Sequence, residues 1–459
     1  MPGVKTTANA VYNIKTLKLP VGELTRAKAD VLDRLTARLT FAVQLWLDML
    51  RQERTTARTR IERHRKEIQA RTGLNAAFAQ ATRDRALWMW RSYQRLHQEW
   101  SWRVKKLERQ LARTRDSRLR KRLEHKLYRL KRREPSEPTV ARKQPVMFDQ
   151  RIGRIERSRN AKHFGFWARI STLKLREILE LPIHSYPYAD KYLRSTEWSI
   201  KSFQLVRNYR LERWEIHVVV EREFIPQAPR SIVGVDLGIR KLATAVRIDA
   251  GGIRDLVCVE KAKHAWFFRR MHELNNRIAK LQRMKKYEVL KKLRNQRRNL
   301  AEDFRRKLAC EFVNNFEEDD VLAIGIPERI RDELGYKGSG SRVQRKRLNR
   351  WSFKRQAFWI RGKAMERGIT AIELNERGTT HRCHLDGSEM VEFEDRMLRC
   401  TSCGLEIDRD VNGAINIALK AMSNQGALQG LGAVVNPPEL RMTGLEKPLS
   451  AEAPHFSAG

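Results

Sequence analysis

Apolar and polar positions alternate over the first stretch, with Val11, Asn13, Ile14, Leu17 and Leu19 reading as a strand that Pro20 ends. From residue 25 to 133 the period lengthens. Leu32, Leu35, Leu39, Ala42, Leu45 and Met49 recur at helical spacing, without Pro and with Gly73 as the one glycine. Pro135 and Pro138 close this helical region, and short extended runs continue to the linker at 226–229. The clearest run sets Trp214, Ile216, Val218 and Val220 against Glu215, His217 and Val219, a half-buried strand. The economical reading is a small β domain. If the N-terminal strand joins it, the helical region is an insertion within that domain.

From residue 231 the pattern predicts a short apolar strand over 232–236, then strands over 242–248 and 253–259 joined by the turn at 249–252. A long basic helix is expected around 269–307, with a stripe through Leu274, Ile278, Leu281, Leu293, Leu300 and Phe304. A buried strand at 321–326, a loop ending in Gly338-Ser339-Gly340-Ser341, a helix over 351–367, a strand over 369–374 and a last helix over 410–421 follow. Beyond this lies a Gly/Pro/Ala-rich tail expected to be disordered. Three hairpinned strands, a helix, a strand, a helix, a strand and a closing helix predict a ribonuclease-H-like α/β order with a mixed sheet.

Charge narrows the function. The 459 residues carry 94 Lys+Arg against 54 Asp+Glu, a net +40 that is best tolerated beside a polyanion, so nucleic acid is the expected partner. Two segments concentrate it: residues 103–133 hold 15 Lys/Arg against three acids, and 269–307 hold 15 against four. Such stretches destabilise their own helices unless neutralised. Trp88, Trp90, Tyr93, Trp100 and Trp102 offer base-stacking surfaces, with core packing the expectation for most of them. Arg342, Arg345, Lys346, Arg347 and Arg350 are the better candidates for phosphate contact. No apolar run reaches the roughly 20 residues of a membrane helix, and the start lacks signal-peptide character, so a cytoplasmic location is expected.

Five cysteines are too few for a disulfide scaffold of this size, so Cys383, Cys400 and Cys403 read as metal ligands. Cys400-Thr401-Ser402-Cys403 is half of a zinc knuckle. In the other half, Cys383-His384-Leu385-Asp386, Asp386 takes the cysteine place; Asp386, His381 and His384 compete as the fourth ligand. The alternative is a ribbon-shaped hairpin that has lost its Zn2+.

Two-metal phosphodiester hydrolysis needs carboxylates that converge on two Mg2+ about 3.5–4 Å apart. Asp236 ends an apolar strand, where a charge is costly unless paired or metal-bound; an exposed strand-end acid is the plainer reading. In Asp408-Arg409-Asp410, a helix cap explains one carboxylate but not both.

Ile232-Val233-Gly234-Val235-Asp236-Leu237-Gly238 and Asp408-Arg409-Asp410-Val411-Asn412-Gly413-Ala414, with the ribbon between them, resemble the RuvC motifs of TnpB (OrfB), the transposon-encoded RNA-guided nucleases related to miniature type V CRISPR effectors. The resemblance is strong over 231–421 and looser before it, where Pro145-Val146-Met147-Phe148 and Leu181-Pro182-Ile183 fall in the family's wedge stretch. It implies a map of 1–24 wedge strand, 25–140 helical recognition domain, 141–229 wedge β domain, 230–380 RuvC domain, 381–407 zinc-ribbon-like insert, 408–421 RuvC helix and 422–459 tail. It makes Asp236 and Asp410 catalytic. It further implies a guide RNA that pairs with target double-stranded DNA next to a short flanking motif, with a homodimer open beside a monomer.

One departure stands out. The family's Glu at the end of the fourth strand is Gly325 here, in Leu322-Ala323-Ile324-Gly325-Ile326-Pro327. Glu376, ending the neighbouring strand before Arg377-Gly378-Thr379-Thr380, resembles a branch in which this Glu has moved, with Glu328 and Glu373 as lesser candidates. A site without a working Glu would leave an RNA-guided DNA-binding protein instead.

Overall fold

The computed structural model describes residues 11–158, 163–224, 229–327 and 351–423. Glu328, the basic set Arg342, Arg345, Lys346, Arg347 and Arg350, the Gly338 loop and the tail after residue 423 lie outside the described residues. By internal contacts the chain divides into two units, Ile14–Arg222 and a second dominated by Glu223–Gly459.

In the first unit, strand β1 (Val11–Pro20) is followed by helices α1 (Arg26–Glu53), α2 (Arg58–Glu62), α3 (Arg65–Thr72), α4 (Ala76–Arg113) and α5 (Ser117–Lys131). Strands β2 (Met147–Phe148), β3 (Gly153–Arg157), β4 (Phe166–Ser171) and β5 (Ile178–Ile183) come next, then helix α6 (Pro187–Leu193) and strands β6 (Ser199–Asn208) and β7 (Arg213–Phe224). One sheet runs β1-β7-β6-β2 and another β3-β4-β5. Because β1 pairs with β7, the helices from α1 to α5 are inserted within a β domain. Side chains cap the helices that carry most of this packing: Thr25 accepts from the Lys28 amide and Asn75 from the Phe78 amide. The buried stripe of α1, from Leu32 to Leu50, packs on α4, where the Trp46 indole donates to the Ala79 carbonyl at 3.0 Å. The basic segment is the far end of α4 turned back along α5, which buries no residue. Trp100 Nε1 donates to Leu130 O (2.9 Å) and Lys131 pairs with Glu108 (2.8 Å) to hold this hairpin.

The second unit holds strands β8 (Ser231–Asp236), β9 (Lys241–Asp249) and β10 (Gly252–Glu260), helices α7 (Ala265–Arg283) and α8 (Tyr287–Val313), and strand β11 (Asp320–Ile326). Helix α9 (Phe353–Glu366), strand β12 (Thr370–Asn375), the short strands β13 (Met390–Glu394), β14 (Met397–Cys400) and β15 (Glu406–Asp408), and helix α10 (Arg409–Ser423) complete it. The main sheet has the order β10-β9-β8-β11-β12. Strands β8, β9 and β10 are antiparallel neighbours, whereas β11 lies parallel to both β8 and β12. This is the ribonuclease-H-like order. An apolar cluster through Phe304, Phe312, Ala357 and Ile360 covers one face, and one through Val411, Ala414, Ile415 and Ala418 covers the other. At Gly234 a Cβ would run into the Ala414 carbonyl and the Ala418 amide, so α10 lies on the bare backbone of β8.

The single long basic helix expected over 269–307 is instead two. Lys285 adopts a left-handed conformation (φ 53°) between α7 and α8, and Leu274, Ile278, Leu290 and Leu293 form a small core of their own between the two helices. Folding back buries an apolar stripe that an isolated straight helix would leave wet. Among the described residues no helix is long and apolar enough to cross a membrane.

Candidate active site and metal centre

Parallel strands bring their carboxyl ends to one edge of a sheet, where ligands of open α/β sheets bind. Asp236 is the last residue of β8, and Glu376 follows the last residue of β12. Between them runs β11, whose Ile324 is level with both Val235 and Glu373 and whose Gly325 is level with Leu374. The Glu376 amide reaches back to Ile326 O at 3.4 Å. The bare position of Gly325 is therefore filled from the side: a Cβ there would lie 3.1 Å from Glu376 Oε2 and 3.3 Å from Glu376 Cβ. The Glu376 side chain folds over this glycine.

Helix α10 supplies the third acid. Its cap is Asp408, whose Oδ1 accepts from the amides of Asp410 (2.9 Å) and Val411 (3.2 Å), while Oδ2 accepts from Lys241 Nζ at 2.7 Å. Capping thus accounts for Asp408 and leaves Asp410 unexplained as a cap. Asp410 is 4% exposed, pairs with Arg396 through Oδ1 and has no partner for Oδ2 among the described residues. One turn along α10, a Cβ on Gly413 would lie 3.3 Å from Asp236 Oδ2, so the Asp236 carboxylate rests against the start of this helix.

Electrostatics bind the three acids together. Asp236 is pushed well above the usual carboxylate range by desolvation, then by the charges of Asp410 and Glu376. Burial raises Glu376 to about 7, and its Oε2 has no hydrogen-bond partner among the described residues. Burial also raises Asp410, against the pull of Arg396. Orphaned buried carboxylate oxygens and mutual repulsion are the state that divalent cations relieve, and hard oxygen donors suit Mg2+. These buried, unpaired oxygens are donors that suit a divalent cation. Of the lesser candidates, Glu373 points away to Arg361 (3.4 Å) and is exposed.

Strands β13, β14 and β15 form the small antiparallel ribbon before α10. At its base, ligand atoms of Cys383, Asp386, Cys400 and Cys403 lie within 4.8 Å of one another. Cys383 Sγ and Cys403 Sγ are 3.7 Å apart, close to the roughly 3.8 Å that two thiolates span on a tetrahedral ion with Zn–S about 2.3 Å. Cys400 Sγ lies 3.5 Å from Asp386 Oδ2. Asp386 is held far below the usual range by the Ser388 amide, and burial pushes the Cys383 thiol up to about 12. Three sulfurs and one ionised carboxylate form a donor set that suits zinc. His384 is engaged elsewhere, at 3.0 Å from Asn412 Oδ1, and neither it nor His381 belongs to the cluster.

Sequence reasoning missed Arg396. It sits at the turn of the ribbon hairpin in a left-handed conformation (φ 68°), and its guanidinium reaches Asp410. Nothing in a charge pattern singles out this arginine, because its place depends on the ribbon folding back onto α10. Among the aromatic candidates, Trp90 is buried, Tyr93 packs on the core and Trp100 is held by Leu130 O, whereas Trp88 and Trp102 are exposed.

A family model described as Cas12f1-like, TNB domain matches residues 353–417, a span that runs from α9 through Glu376 and the ribbon to Asp410. TnpB-like protein MJ0751 of Methanocaldococcus jannaschii is 22% identical over 254 residues, covering 54% of this chain and 88% of that protein. The CRISPR-associated endodeoxyribonuclease Cas12f1 of Sulfoacidibacillus thermotolerans is 22% identical over 250 residues, covering 49% of this chain and 54% of its own length. The chain therefore spans about half the length of that relative. Among solved structures, a Cas12f1–sgRNA–target DNA complex aligns over 89% of this chain and 99% of that one, at 13% identity and a TM-score of 0.45. By sequence the chain is thus similar, over about half its length, to a TnpB-like protein and to a Cas12f1 endodeoxyribonuclease.

Proposed function

We propose that this protein is an RNA-guided DNA endonuclease, with Asp236, Glu376 and Asp410 as its catalytic carboxylates. The observation that carries the reading is the Glu376 side chain over Gly325, which returns a third acid to the edge that holds Asp236 and Asp410. Two Mg2+ ions held there would supply a Lewis acid for the scissile phosphate and an activated water. Asp236 and Asp410 bind from the sheet and the helix, and Glu376 closes the set from the far strand. Lys241 keeps Asp408 on the helix cap and so fixes where Asp410 points. The ribbon, stapled by Cys383, Asp386, Cys400 and Cys403 around Zn2+, carries Arg396 to this edge.

Guide RNA and target DNA are the partners that the net charge and the relatives support, with the basic α4–α5 and α7–α8 hairpins as electrostatic contacts. The location proposed is the cytoplasm of a prokaryotic cell. The test is cleavage of plasmid carrying a matched target, by protein purified with co-expressed guide RNA, with and without Mg2+. Metal-dependent cutting that Asp236→Asn or Glu376→Gln abolishes supports the reading. Guide-dependent DNA binding without cutting would leave the second reading, motivated by Gly325, of an RNA-guided DNA-binding protein.

A further inference from the structure

A cleft of about 430 Å³ opens beside the carboxylate edge, lined by Arg377, Gly378, Thr379, Arg382, Asn416 and Lys420. Among the described residues it holds three cationic side chains and no acid. Lys420 spends one donor on the Asn375 carbonyl at 2.7 Å, whereas neither Arg377 nor Arg382 has a carboxylate partner among the described residues. Other exposed arginines of this unit are paired, Arg399 with Glu406 and Arg240 with Asp395.

The cleft is also rigidly framed. Gly378 is left-handed (φ 82°) with open space where a side chain would stand, which allows the chain to reverse after Glu376. Thr379 closes that turn by donating to the Glu376 carbonyl from its amide (3.1 Å) and its hydroxyl (2.7 Å). Two asparagines of α10 clamp the following loop: Asn416 Nδ2 donates to the carbonyls of Thr379 and Arg382, both at 2.8 Å, and Asn412 Nδ2 to those of Thr380 (3.1 Å) and Arg382 (2.8 Å). The wall of the cleft is thus continuous with Glu376 on one side and with the helix of Asp410 on the other. A preorganised, acid-free cationic concavity fits a dianionic or monoanionic phosphate group, and guanidinium forks suit it best.

We propose that this cleft seats a backbone phosphate of the DNA strand being cut, next to the scissile one, with Arg377 and Arg382 as positioning residues. The inference rests on the nuclease reading for its ligand but is read by binding. The two arginines hold the strand so that the neighbouring phosphodiester would lie at the carboxylate edge.

The test uses the full chain with its co-purified RNA and a labelled single-stranded DNA oligonucleotide, in an Asp236→Asn background so that binding is read apart from cutting. Arg377→Ala/Arg382→Ala is expected to weaken DNA binding roughly tenfold to a hundredfold and to lower the slope of log K against log salt by about 1–2, while Arg377→Lys/Arg382→Lys restores most of the slope. Both side chains are exposed, so folding should survive. A second arm, run on both the arginine-containing and the double-alanine proteins, replaces single phosphates of the DNA with neutral methylphosphonates. One position should reproduce the loss in the wild-type arginine background and add nothing in the double-alanine variant. Unchanged DNA affinity and slope, or a loss confined to the retained RNA, would overturn the proposal. Loss of DNA binding in a protein that never cuts would retain the cleft and sink the nuclease reading alone.

Discussion

Glu376 holds a proton that an exposed glutamate would give up, because burial lifts it from 4.5 to about 7. The folded state therefore keeps a proton that the unfolded chain loses, and metal-free stability should fall as pH rises from about 4.5 to about 7, by up to about 3 kcal/mol. Thermal unfolding in chelator across this window should show the fall, and Glu376→Gln should reduce it, leaving the part that the raised Asp236 and Asp410 contribute. Added Mg2+ should raise Tm more at the upper end, where the carboxylates ionise readily. The placement of Asp236 at a strand end and of Asp410 at a helix start, and the grouping of Cys383, Asp386, Cys400 and Cys403, were legible in the sequence because element ends and cysteine spacing are local signals. The contact of Glu376 with Gly325 was legible only as a feasible move between adjacent strands. Arg396 was not, since its partner is set by a hairpin turn returning to a helix.

At the scale of elements, the close approach of α10 to β8 through Gly234 places Asp410 at the same edge as Asp236. Gly234→Ala should cost about 1–3 kcal/mol or more by overpacking, and should lower cleavage beyond its effect on Tm because it moves one carboxylate relative to the other. Conservative Val235→Ile provides the comparison, with little change expected in either readout. In the ribbon, one zinc per chain is expected by elemental analysis. Cys400→Ser should lose it and lower Tm, whereas Asp386→Cys should tighten binding by completing a four-sulfur site. Helix and strand types were readable from periodicity, but the break at Lys285 was not. The leucine stripe runs through it without Gly or Pro, and only the pairing of Leu274 and Ile278 with Leu290 and Leu293 reveals the turn.

For the whole molecule, a net charge of +40 implies self-repulsion that a bound polyanion removes. Purified protein should carry nucleic acid, and stripping it at high salt should lower Tm at low ionic strength, with recovery on adding guide RNA. Affinity for RNA should fall steeply and linearly on a log–log plot against salt. Helix α5, which buries no residue, is the surface expected to make this contact.

The most direct test of the account is guide-programmed cleavage of matched DNA in Mg2+ by the wild type and by Glu376→Gln. The account predicts cutting by the first and its loss, with DNA binding intact, in the second. Equal cutting by both, or none by either while guide and target are bound, would contradict it.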